Sequence, residues 1–512
     1  MKNGTTKSRW PTRMFSLLSA GALATCILGK PVLAQDLQFS WAKGIGGNLY
    51  DFGLSVATDS QGNVITVGWF GGTIDFDPGA GTEELTSKGG GDIFISKLDR
   101  SGNFVWAKAI GGTSEENAVS MHIDAANSIY ITGEFLDTVD FDPGTGTSNL
   151  VSTGNGDVYV LKLASDGSFQ WVTGFSGTGG KTSGGVAVDG SGNVYAAGGF
   201  TGSVDFGGGT VYDAGSTWDA YIVKLDSNGD TTWAKRYVSD EGCIANDIAV
   251  DNSGNVITTG EFEGTTDFSP RDDTSINVTS NGDTDIFIAK LASNGEVANV
   301  NEIEVIGTTA GEYGESVTVD SDGNIYCVGY FEGSPIIFGH TTLTSNGGGD
   351  VFVAKIDNNG GVKWAKNIGG SGTDYGMDIA IDASGNIYTT GSYWVSGDFD
   401  PGPNTFTLTS EQYEDVFISK LDNDGDFIWA KSIGGTNAET GRGVHVDSSG
   451  NLYLTGDFKE TCDFDPSDGD HTLTATGDGS GGNTEDIYVV KLSPPPSSPF
   501  AWPLFLPAIY HK

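Results

Sequence analysis

The sequence predicts an all-β fold, a seven-bladed β-propeller of four-stranded antiparallel blades closed by the N-terminal strand (37–43) completing the last blade. Three observations predict it. Two anchor motifs each recur seven times at a period near 65 residues. The strand-like segments between them are apolar on both faces. One copy of the outermost-strand motif stands at the opposite end of the chain from the unit that lacks it.

The first anchor is Asp-x-x-Gly-Asn, at Asp59, Asp189, Asp251, Asp320, Asp382 and Asp447, with a degenerate DAANS at Asp124. Successive anchors are 65, 65, 62, 69, 62 and 65 residues apart. The second is an Asp that opens an apolar run ending in Lys-Leu or Lys-Ile, at Asp92, Asp157, Asp219, Asp285, Asp350, Asp415 and Asp486. A fixed period of this size is the mark of a repeat architecture. The chain holds 79 glycines in 512 residues, roughly double the usual share, and their periodic placement assigns them to turns.

Each unit reads as strand A (SVATD), strand B (NVITVGWF), strand C (DIFISKL) and strand D (FVWAKAI). Val, Ile, Tyr, Phe, Trp and Thr dominate them, as pleated, packed segments require. Strands B and C lack alternation, so both sheet faces are covered. Small sheets stacked in a circle meet that condition. The A–B turn is Asp-x-x-Gly-Asn, and the C–D turn reads DRSG at Asp99, DSNG at Asp226, DNNG at Asp357 and DNDG at Asp422. Asp caps such a turn and Gly takes its left-handed position. The turns are too short for EF-hand calcium loops and lack the Glu at the twelfth position.

Inside the repeats strand D occurs six times, at Trp106, Trp171, Trp233, the degenerate Asn299, Trp364 and Trp429. After the last strand C, DIYVVKL, comes SPPPSSP. The seventh strand D is LQFSWAKGIGG, around Trp41. Leu37–Lys43 is therefore expected to pair with Asp486–Leu492, which closes the ring and removes two open sheet edges.

The units resemble the bacterial secreted seven-bladed β-propeller repeat family (SBBP-type repeats), through D-x-x-G-N-x-Y-x-T-G-x-F, D-F-D-P-G, L-T-S-x-G-G-G-D-x-F-x-x-K-L and W-A-K-x-I-G-G over residues 37–492. The fifth unit departs most, with Asn299 for Trp and PIIFG at Pro335 for DFDPG; the third has DFGGG at Asp205. The resemblance implies a propeller and export, and no shared catalytic activity.

Residues 1–34 read as a signal peptide cleaved near Ala34. Lys2, Lys7, Arg9 and Arg13 precede the apolar run Met14 to Leu28, and PVLAQ carries Val32 and Ala34. The run is too short to span a membrane. Residues 35–492 form one domain, and 493–512 a stiff Pro-rich linker and a short apolar tail. The expected location is outside a bacterial cell or in its envelope. The formal net charge is −41, which opposes nucleic-acid and anionic-membrane binding. Beyond the signal, Cys243, Cys327 and Cys462 form no disulfide framework.

The A–B and C–D hairpins share one face of such a ring and are short and uniform. The D–A and B–C connections share the other and vary, as binding loops do. There, DFDPG places Asp75 and Asp77, Asp140 and Asp142, Asp398 and Asp400, and Asp463 and Asp465 on either side of a Phe. Residues two apart project to one side of an extended segment. The Phe is then an inward anchor, and the carboxylates are candidate Ca²⁺ ligands or, more simply, turn caps. The Asp before strand C is expected to accept backbone N–H groups, and the strand C lysine to pair with the Asp ending strand A. His122, His340, His445, His471 and His511 show no metal-ligand spacing. FSGTGGKTSGG at Phe175 lacks the first Gly and the following helix of a phosphate loop. No catalytic residue is assigned. The expected function is an extracellular binding or scaffolding module, monomeric, for a glycan, protein or envelope component. The alternative is an extracellular propeller hydrolase or lyase, calcium-assisted, with its site on the D–A and B–C face.

Overall fold

The computed structural model describes residues 37–269, 274–297, 303–333, 335–467, 469–477 and 484–495. The signal segment, the C-terminal tail and Asn299 lie outside the described residues. Every regular element described is a β-strand, and the strands form seven antiparallel blades. Blade 1 consists of Asp51–Thr58, Val64–Phe70, Asp92–Leu98 and Phe104–Ile110, hydrogen-bonded in that order. The next five blades repeat this order. Blade 7 takes Glu439–Val446, Leu452–Lys459 and Glu485–Ser493 from its own unit and Gln38–Ile45 as its outer strand.

That closure follows the predicted register: Phe39 lies opposite Leu492, Lys43 opposite Val489, and the pairing runs on to Ile45 and Ile487. The Trp41 indole donates to the Arg100 carbonyl in the blade 1 turn at 3.3 Å. Trp171, Trp233 and Trp364 make the same bond to Ser227, Ser293 and Asn423 of the following blade. The N-terminal strand is thus latched as the internal ones are.

The core consists of seven slabs, one between each pair of neighbouring blades. Ile65, Val67, Ile93 and Ile95 of blade 1, for example, pack on Ile129, Ile131, Tyr159 and Leu161 of blade 2. This is why strands B and C carry apolar residues on both faces.

The sequence reading treated the B–C connection as a loop. In every blade it holds a short hairpin, such as Thr73–Asp75 with Glu84–Thr86. In blades 3, 4, 6 and 7 this hairpin also pairs with strand D of the preceding blade, as Gly434 does with Asp463 and Gly435 with Cys462. The Phe of DFDPG roots it. Phe76, Phe141, Phe399 and Phe464 are fully buried, each edge-on to the last aromatic of strand B at 5.0–5.4 Å. The inward-anchor expectation for that Phe matches this geometry.

Six of the seven inner strands carry a β-bulge, for example between Gly53 and Ser55 and between Gly314 and Ser316. A bulge turns two consecutive residues to one side, and both Glu315 and Ser316 line the central channel. It also explains the Gly in T-G-x-F. A Cβ on Gly68 would lie 1.9 Å from the Phe52 carbonyl oxygen, and one on Gly456 1.8 Å from that of Thr440.

The Asp opening strand C accepts a backbone N–H four residues upstream, as Asp157 does from Thr153 at 3.0 Å and Asp285 from Asn281 at 3.0 Å. A residue at the entrance to the next blade's inner strand lies beside it. At five junctions that residue is also acidic: Asp51 beside Asp486, Glu116 beside Asp92, Glu312 beside Asp285, Asp374 beside Asp350, and Glu439 beside Asp415. Both members of the last pair keep one buried oxygen without a hydrogen-bond partner, as do Glu116, Asp285 and Asp486. At the sixth junction Lys181 takes this place and its Nζ meets Asp157 at 2.7 Å, both side chains fully buried. At the seventh it is Cys243, and Arg236 pairs with Asp219 instead at 3.0 Å.

Candidate functional site

The candidate Ca²⁺ carboxylates sit at the base of the small hairpins. Asp75 Oδ1 accepts the N–H groups of Asp77 (3.0 Å) and Glu83 (2.8 Å), and Asp77 Oδ1 accepts that of Gly79 (2.8 Å). The bonds recur at Asp140 and Asp142, Asp398 and Asp400, and Asp463 and Asp465. One oxygen of each carboxylate therefore closes a turn. Among the described residues no group of three or more His, Cys, Asp or Glu side chains is arranged to hold a metal ion.

The expected pairing of the strand C lysine splits by the second residue of strand B. Where that residue is Ile65 or Ile257, Lys97 meets Asp59 at 2.8 Å and Lys290 meets Asp251 at 3.4 Å. Where it is Tyr130, Tyr195, Tyr326, Tyr388 or Tyr453, the phenol donates to the Asp carboxylate. The lysine then lies over the ring at 4.6–5.2 Å, and in blade 6 Lys420 still reaches Asp382 at 4.0 Å.

A cavity of 490 Å³ opens on the hairpin face among blades 1, 2 and 7. Its carboxylates are engaged: Asp124 and Asp447 each accept two backbone N–H groups and a tyrosine hydroxyl. His445 Nε2 meets Thr58 Oγ1 at 2.9 Å, and burial pushes its pKa down to about 4. His122 is lowered in the same way.

The central channel differs. A cavity of 260 Å³ is lined by all seven inner strands, through Leu54 and Ser55, Val119 and Ser120, Gly184, Asn246 and Asp247, Glu315 and Ser316, Met377 and Asp378, and Arg442. Ser316 Oγ lies 2.9 Å from both Asp247 Oδ2 and Asp378 Oδ1. A hydroxyl has one hydrogen, so Ser316 can donate to only one of the two carboxylates at a time. Burial pushes Asp247 up to about 6 and Asp378 to about 7. Arg442 is engaged on blade 7, its Nε on Asp457 Oδ1 at 2.5 Å and its guanidinium 5.3 Å from the Phe52 ring centre.

Toward the D–A and B–C face, blades 4 to 6 present Glu261, Glu315 and three tyrosines. Tyr313 and Tyr330 stack with centroids 4.7 Å apart, and Tyr375 meets Tyr330 edge-on at 4.9 Å. Glu261 accepts the Asn246 amide, and burial pushes it up to about 7. Among the described residues Glu315 has no hydrogen-bond or ion-pair partner. Burial, with Glu261 beside it, pushes it up to about 8. Sequence reasoning missed these residues. Their signal is a break in the repeat at the bulge position, where Leu54, Val119, Gly184 and Met377 are replaced by Asn246, Glu315 and Arg442 in blades 4, 5 and 7.

With the blade geometry in place, the beta-propeller repeat of the SBBP family matches residues 363–394 and 428–457. The chain carries SBBP-type propeller repeats. Each matched stretch runs from strand D of one blade through strands A and B of the next, the same offset by which Gln38–Ile45 completes blade 7. This SBBP-type propeller is 24% identical over 496 residues to an uncharacterized WD repeat-containing protein, L264, of Acanthamoeba polyphaga mimivirus, covering 83% of this chain and 32% of that protein. It is 23% identical over 380 residues to regulatory protein FlaEY of Caulobacter vibrioides, covering 71% and 38%. The alignments span about a third of the length of these curated relatives. The WD40 beta propeller domain of Doa1 aligns over 90% of this chain and 98% of its own, with 12% identity and a TM-score of 0.40.

Proposed function

We propose that this SBBP-type propeller is an exported binding or scaffolding module, and that it engages its partner at the channel mouth on the D–A and B–C face. The observation that carries the reading is Glu315: a deep-set carboxylate with no partner among the described residues, reachable from the channel and flanked by tyrosines. A carboxylate set into a cleft with its pKa pushed well above the usual range is a candidate place for a ligand. The variable connections ring the same mouth, and rigid scaffolds carry binding in such loops. Partners of this reading are an extracellular glycan, a protein or an envelope component. Screening the full chain against a glycan array and envelope fractions, beside Glu315→Gln and Tyr330→Leu variants, tests it. Retention that both substitutions weaken supports the reading; retention indifferent to both moves the site elsewhere. Turnover of a glycan in the same screen would favour the hydrolase or lyase alternative.

A further inference from the structure

We infer that the channel mouth binds an organic ammonium group, seated between Glu315, Glu261 and the tyrosine cluster of Tyr313, Tyr330 and Tyr375. This rests on the reading of the mouth as the binding site and names its ligand chemistry.

Glu315 lies deep among protein atoms yet lines the channel. Its charged neighbours are acidic: Glu261 from strand B of blade 4 acts on it directly, and Glu263, Glu332 and Glu414 surround the tyrosines. Arg442, across the channel, is held by Asp457. Among the described residues no Lys or Arg pairs with Glu315 or Glu261, so once ionised this wall is negative. The tyrosines add ring faces, which attract cations through the quadrupole. Carboxylates beside aromatic faces suit an ammonium better than a hydrated metal ion, which needs about six oxygens. Glu315 also lines the 260 Å³ channel cavity, so the site opens toward the channel. The same chemistry occurs on a free quaternary amine and at the tip of a lysine side chain.

The raised pKa of Glu315 adds a signature. An ammonium ligand favours the ionised carboxylate, so binding should release a proton and tighten as pH rises from 6 to 9.

The test is calorimetric titration of the full chain with choline and with its neutral isostere 3,3-dimethylbutan-1-ol, at pH 6 and pH 9, in two buffers of different ionisation enthalpy. N-acetyl-lysine methylamide and its trimethylated form are the lysine arm. The expected result is saturable binding of at least one cation, none of the isostere, and proton uptake by the buffer. Glu315→Gln should weaken binding at least tenfold and reduce the proton release. Tyr375→Leu should weaken it about tenfold, and since this ring is half-exposed it serves if Glu315→Gln fails to fold. Equal binding of cation and isostere, no binding of any cation, or full affinity in both variants overturns the proposal. If mouth-dependent retention of a glycan or envelope component persists while no ammonium binds, only the ligand class fails. If that retention is also absent, the binding reading fails with it.

Discussion

At the residue scale, the repeats show what one position does when its side chain changes. The residue at the entrance to the inner strand is acidic in five blades, and in blade 3 it is Lys181, locked to Asp157 with no solvent contact. Removing one partner of a buried pair leaves an unanswered charge, at a cost of about 3–5 kcal/mol. Lys181→Met should lower the unfolding free energy measured in urea by that amount, and adding Asp157→Leu should recover much of it. The DFDPG carboxylates make a contrasting case. Each has one oxygen fixed by backbone N–H groups, so turn closure accounts for the motif. Calcium added to the chain should then give neither calorimetric heat nor a higher melting temperature. A saturable heat that Asp77→Asn and Asp142→Asn diminish would make these residues ligands.

At the element scale, the small hairpin in each B–C connection joins neighbouring blades and depends on one buried aromatic. Phe399 is fully buried between Tyr393 and Phe417. Phe399→Ala should cost about 3–5 kcal/mol in chemical denaturation. A cost below about 1 kcal/mol would mean that the hairpin is not rooted there. The sequence announced the four main strands because their lengths, apolar faces and turn chemistry are all local. The hairpin was not legible: its strands are three residues each, and their pairing with the preceding blade is non-local. The channel mouth was hidden for a related reason. Glu261 and Glu315 sit 54 positions apart on different blades, and only the stacking of blades 4 and 5 brings them together. The break in the repeat at Glu315 was visible, but its neighbours were not.

At the scale of the whole molecule, the paired carboxylates make stability depend on pH. Asp51 is pushed up to about 8, Glu116, Glu312, Asp374 and Asp415 to about 7, and Glu439 to about 9, burial being the main cause in each. In the unfolded chain such groups titrate near 4. Between about pH 4 and these values the folded ring holds protons that the unfolded chain has released, so stability falls as pH rises across this window. The melting temperature should be higher at pH 5 than at pH 9, and Glu439→Gln should flatten the decline. A melting temperature that rises over that range would contradict the protonated junctions. The closing strand has a consequence in time. Ser40 and Ser493 bond at 2.8 Å across 453 positions. Among the described strands, Gln38–Ile45 is synthesised first and its partner Glu485–Ser493 last. Contacts so distant in sequence form slowly, so until synthesis reaches Glu485 the nascent propeller is an open arc with two unprotected edges.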